Sequence, residues 1–97
     1  MRPFAILALS VSLATSLLAQ SDQAQFVRAN DEFAKGQFQH AIRDYEAMVQ
    51  AGKWSAPLFY NLGNAYYRIA DFGRAILNYE RALALEPQHP ETTANLA

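Results

Sequence analysis

Apolar side chains return along this chain at i, i+3, i+4 and i+7, the spacing of one face of an amphipathic helix. Phe38, Ala41, Ile42, Tyr45, Met48 and Val49 make one such stripe, and Phe72, Ala75, Ile76, Tyr79, Ala82 and Leu83 make another. The two superimpose one for one at a separation of 34 residues, as Ala41 and Ala75 show. Six matches at one fixed offset are hard to obtain by chance. Phe59, Leu62, Gly63 and Tyr66 form a further stripe between them, and Phe26, Ala29 and Phe33 a weaker one upstream. The pattern predicts helices arranged in antiparallel pairs.

Breakers and caps give the boundaries. Gly36-Gln37 separates the first two helices. Gly52-Lys53-Trp54-Ser55 separates the pairs, with Ser55 as an N-cap and Pro57 in the first turn of the next helix. Ile69-Ala70-Asp71 is a turn, and Pro87-Gln88-His89-Pro90 closes the second pair. A fifth helix is expected to begin at Pro90-Glu91. The units are therefore about 22–55, 56–89 and an incomplete 90–97.

The run APLFYNLGNAYYRIADFGRAILNYERALALEP, Ala56 to Pro87, resembles a tetratricopeptide repeat, whose period is 34. The resemblance implies an all-α fold, helix pairs stacked into a right-handed superhelix. It gives Phe59, Leu62, Gly63, Tyr66, Ala75, Tyr79, Ala82 and Pro87 to the packing of the repeat. Gln25, Arg28 and Glu32 stand where Phe59, Leu62 and Tyr66 would be, so the first repeat is degenerate. The resemblance further implies a concave surface lined by the first helix of each pair. Phe26, Asn30 and Phe33 fall there from one repeat, and Tyr60, Asn64 and Tyr67 from the next. An asparagine can bond both a peptide N–H and a C=O, and an aromatic ring gives contact area at low entropic cost. Against this stands packing of Phe33 and Tyr67 between helices, with the asparagines simply on the helix surface.

Some members of the family grip a terminal carboxylate with Asn and Lys or Arg. Asn30 and Asn61 suit that clamp, but Phe26, Glu91 and Asn95 stand where its cations belong, so it is rejected here. The phrases YNLGNAYYR and RAILNYERAL also resemble the exported tetratricopeptide proteins of bacterial aerotolerance operons. That likeness implies a periplasmic or membrane-associated scaffold with further segments beyond Ala97.

Charge and composition narrow the partners. Eight Lys and Arg against nine Asp and Glu give a net charge of −1, and the cations are scattered, so no nucleic-acid surface is expected. Without cysteine there is no disulfide and no thiolate metal site. His40 and His89 lie far apart, without spaced carboxylates, and the glycines do not form a phosphate loop, so neither metal, cofactor nor catalytic residue is expected. Trp54 is expected to pack in the linker rather than to await a partner.

Met1-Arg2-Pro3, the apolar run Phe4–Ala14 and the small residues ending at Ala19 read as a secretory signal peptide cleaved after Ala19. The run is shorter than the ~20 residues that span a bilayer, so an uncleaved anchor is the lesser alternative. The mature domain is then 20–97, exported to the periplasm or envelope. The favoured function is an interaction scaffold for a protein or peptide. The alternatives are a regulatory or targeting module at the start of a longer envelope enzyme and self-association through the unfinished third unit.

Overall fold

The computed structural model describes residues 22–88 and 90–96. They form five α-helices: α1 over 22–34, α2 Phe38–Gln50, α3 Ala56–Arg68, α4 Phe72–Leu85 and α5 Pro90–Leu96. No strand occurs among the described residues. Consecutive helices pack against each other, α2 on α3, α3 on α4 and α4 on α5. This is the all-α stack of helix pairs that the 34-residue period implies. The proposed signal segment and His89 lie outside the described residues.

The turns repeat as faithfully as the helices. Each of the first three helices ends in a Schellman motif. Gln37 N–H donates to the Glu32 carbonyl and Gly36 N–H to that of Phe33; Lys53 and Gly52 do the same toward Met48 and Val49, and Asp71 and Ala70 toward Tyr66 and Tyr67. The motif needs a residue at positive φ. Gly36 and Gly52 supply it at φ 79° and 76°, but the third position is Ala70 at φ 64°. A Cβ in the left-handed region is strained. Ser55 caps α3 as the sequence predicts, its Oγ accepting from Leu58 N–H, and Asp71, read only as part of a turn, caps α4 with a carboxylate that accepts from Arg74 N–H.

The core runs along the stack. Ala29, Ala41, Ile42, Tyr45, Met48, Leu58, Leu62, Ala65, Tyr66, Ala75 and Tyr79 are buried together, and Phe59 packs with Ala56 and Ala82 beside them. At Gly63 α3 lies close against α4. A Cβ there would lie 2.7 Å from two ring carbons of Tyr79 and 3.1 Å from the Ala75 carbonyl. One residue grouped with the packing positions does not pack: Pro87 is exposed. It follows Glu86, the C-cap of α4, and without an N–H it cannot extend the helix. The α4 stripe is also less buried than its twin. Phe72 and Ile76 are 54% and 51% exposed, whereas Ile42 is buried.

Two substitutions separate these effects. Gly63→Ala is expected to lower stability by about 1–3 kcal/mol through overpacking. Ala70→Gly is expected to raise it by about 1 kcal/mol by relieving the left-handed turn. Urea unfolding followed by circular dichroism measures both; a change of the reverse sign in either variant, or no change, contradicts the account.

Candidate functional site

Three polar side chains join at each repeat boundary. The Tyr45 hydroxyl donates to Asn30 Oδ1 at 2.5 Å, and Asn61 Nδ2 donates to the same oxygen at 3.0 Å. One repeat on, the Tyr79 hydroxyl donates to Asn64 Oδ1 at 2.5 Å and Asn95 Nδ2 to the same oxygen at 3.3 Å. All three members of each set are offset by 34 residues. The first helix of a pair supplies the acceptor, the second helix the tyrosine, and the first helix of the next pair the second donor. With its carbonyl used twice, each central asparagine keeps its amide N–H groups for something else.

Two pockets lie over these sets. One, of about 110 Å³, is lined by Asn30, Phe33, Tyr45, Asn61 and Asn64. The other, of about 470 Å³, is lined by Tyr60, Asn64, Tyr67, Tyr79, Ala94 and Asn95. Asn64 belongs to both, so they are neighbouring parts of one groove. The structure thus brings Asn30, Phe33, Tyr60, Asn64 and Tyr67 to one surface. It does not bring Phe26 there. That ring is half-buried against the core, 6.1 Å from Tyr45. Phe33 and Tyr67 each meet the ring that opens the following helix edge-on, Phe38 and Phe72 respectively, both at 5.3 Å. Tyr67 nevertheless stays 57% exposed.

Tyr45, Tyr79, Asn61 and Asn95 were not assigned to this surface by the sequence. The tyrosines read as packing residues, which they also are, being almost fully buried. The signal that marks them is the recurrence of Asn–Tyr–Asn at 30/45/61 and 64/79/95.

The electrostatics are those of a packed polar seam. Burial pushes the Tyr45 phenol up to about 12, and burial with the Glu46 carboxylate beside it does the same to Tyr66, which donates to Glu46 Oε2 at 3.1 Å. Tyr79 is raised too, chiefly by burial. At the other end of the stack Glu32 faces Asp44. The hydrogen bond with Asp44, then burial, raise its carboxyl above the usual range, and its Oε1 is buried without a partner. Arg28 lies 3.4 Å from Asp44 and offsets part of the repulsion.

Elsewhere, Trp54 is 63% exposed, its indole N–H donating to the Val49 carbonyl at 3.0 Å. It lines a separate apolar pocket of about 250 Å³ with Val49, Phe59, Arg81, Ala84 and Leu85. The linker packing expected of it is therefore partial. Among the described residues no group of three His, Asp or Glu is placed to hold a metal, and no helix is long and apolar enough to cross a membrane.

Residues 56–89, which span α3, α4 and the turn between them, match the family model of the tetratricopeptide repeat. No curated protein matches the chain.

The raised phenols give a signed pH dependence. A tyrosine held above its ordinary 10.0 stabilises the fold below that value, and the contribution is lost as pH rises through the folded value of about 12. The melting temperature should fall between those two values, and less steeply in Tyr66→Phe. A flat wild-type curve contradicts the burial. For Glu32 the raised carboxyl is favourable only at acid pH, so at neutral pH the paired carboxylates repel. Glu32→Gln is expected to raise the melting temperature at neutral pH and to have little effect at acid pH, in parallel thermal melts.

Proposed function

We propose that this chain, whose second helix pair matches a tetratricopeptide repeat, is a protein–protein interaction module that holds an extended peptide in the groove over α1, α3 and α5. The observation that carries this is the duplication of the groove. Asn30 and Asn64 occupy equivalent places, each with its carbonyl engaged by a buried tyrosine and its amide turned to donate. Fixed carboxamides one repeat apart suit a ligand with a regular array of carbonyl acceptors, and a polypeptide backbone is such a ligand. Aromatic walls, Phe33 on one side and Tyr60 and Tyr67 on the other, bind side chains by area rather than by charge. Repeats of this class are generally non-catalytic and build binding surfaces.

The setting we propose is the cell envelope. The support is the charged start, apolar run and small-residue site that end at Ala19, together with the likeness of YNLGNAYYR to exported repeat proteins of aerotolerance operons. N-terminal sequencing of the protein from the envelope fraction tests this: a mature chain beginning at Gln20 supports it, and an intact Met1 in the cytosol refutes it.

The groove is tested with peptides. Asn64→Ala is a poor probe, because it strips the Tyr79 hydroxyl of its acceptor and destabilises the fold by about 1–3 kcal/mol. Asn64→Asp keeps an acceptor and removes the amide donor, and Tyr67→Ala trims an exposed ring. Peptides selected from a random display library on the wild-type chain are expected to bind both variants about tenfold or more weakly, as groups central to an interface do. Failure to select any peptide, or unchanged affinity in both variants, removes the proposal.

A further inference from the structure

A further recess, which shares no residue with the peptide groove, lies where the first helix pair meets the second. Its volume is about 250 Å³, and its walls are Val49 of α2, Trp54 of the linker, Phe59 of α3 and Arg81, Ala84 and Leu85 of α4. Both pairs are complete at this boundary, so every wall belongs to the described stack. The corresponding places one repeat on are Leu83, Gln88 and Thr93, 34 residues after Val49, Trp54 and Phe59. A following pair therefore meets α4 elsewhere and leaves this recess as it is.

The lining is apolar except for one charge. Trp54 and Leu85, 63% and 50% exposed, are two large side chains left in water at one spot. The indole is nonetheless held in place. Its N–H is used by the Val49 carbonyl at 3.0 Å, and its ring leans on Phe59 with centroids 6.2 Å apart. The open face of Trp54 is therefore apolar and preplaced, which lowers the entropic cost of covering it. Arg81 is the charge. Its guanidinium lies 5.7 Å from the Phe59 centroid, and the acceptor it reaches is the neutral Asn78 Oδ1, at a long 3.4 Å. Lys53, next to Trp54, is neutralised by Asp22 at 3.2 Å, but Arg81 forms no ion pair among the described residues. An apolar recess beside an unneutralised guanidinium is complementary to an apolar group beside a carboxylate.

We propose that this recess docks a partner protein through a short internal segment in which a bulky aliphatic or aromatic side chain stands next to an aspartate or glutamate. The apolar side chain fills the space between Trp54, Phe59 and Leu85. The carboxylate pairs with Arg81, whose guanidinium offers N–H donors at its edge while its face stays on Phe59. The volume of about 250 Å³ lies below the ~300 Å³ at which small-molecule pockets begin, and so suits a side chain better than a whole ligand. Since no residue is common to recess and groove, either site can fail without the other.

Trp54 is the chain's only tryptophan and lines the recess, so its fluorescence reports on this site directly. The full chain is titrated with pentapeptides, acetylated and amidated to remove their terminal charges, that carry leucine or phenylalanine beside aspartate. A saturable blue shift of the Trp54 emission is expected, with a dissociation constant below about 1 mM. Replacing the aspartate by asparagine should weaken binding about tenfold, the loss of one charge-assisted pair. On the chain, Leu85→Asp should weaken it by about tenfold, as a central contact does. Arg81→Gln should bind the aspartate and asparagine peptides alike. Both side chains are exposed, so helicity should persist, and circular dichroism verifies this. No saturable shift with any pentapeptide, or an aspartate preference that survives Arg81→Gln, overturns the proposal. So does a shift given only by peptides with a free terminal carboxylate, since the occupant is then a chain end, or one given as strongly by decanoate, since it is then an amphiphile.

Discussion

A buried tyrosine hydroxyl must find an acceptor, and in this protein that requirement ties each helix pair together and ties each pair to the next. Tyr45 and Tyr79 are almost completely buried at the seam between paired helices. Their hydroxyls reach across to Asn30 and Asn64. Because a carbonyl oxygen has two lone pairs, the same atom also accepts from Asn61 or Asn95 of the following repeat. Spacing within a pair and register between pairs are thus set by one oxygen. The glycine at position 63 belongs to the same seam. The Tyr79 ring lies against the α3 backbone, where a Cβ would stand 2.7 Å from it, although Ala29 takes the equivalent place beside Tyr45 in the first repeat.

The fixed asparagines account for the groove as well. A side-chain amide on a helix surface usually samples several rotamers, and a ligand that uses it must order it first. Here buried tyrosines have already fixed the asparagine carbonyls from within the fold. Their amide groups are therefore held in one orientation, and a ligand that used them would not have to order them first. The adjoining aromatics follow a different rule. Phe33 is braced against Phe38 under the Arg68 guanidinium, whereas Tyr67 is braced by Phe72 alone and keeps over half its surface in solvent.

What could be read from the sequence was what depends on local pattern. Helix positions and the Ser55 cap with Pro57 arise from spacing within a few turns, and the 34-residue period from the recurrence of that local pattern. The placement of Asn30, Asn64, Tyr60 and Tyr67 on one surface was legible through the repeat, because equivalent residues of a periodic stack share a face. Phe26 was misplaced because its helix is the degenerate one. With Gln25, Arg28 and Glu32 in place of apolar residues, α1 turns Phe26 toward Tyr45 to complete the core. The hydrogen bonds to the central asparagines, from a tyrosine and from a second asparagine, were hidden for a different reason. They join residues 15 and 31 positions apart, and no helical periodicity reports a pairing of that kind. Pro87 shows the opposite case, a residue whose place in a family signature reflects backbone chemistry rather than burial.

The contrast between α2 and α4 shows why sequence symmetry does not give energetic symmetry. Their stripes are nearly identical, yet Ile42 is buried and Ile76 is half-open. Burial in a linear stack belongs to an interface, not to a residue, and each interface is written half on one repeat and half on the next. An apolar face such as that of Phe72 and Ile76 is therefore incomplete in a directed sense. The groups it exposes are those that the corresponding face of α2 devotes to α3.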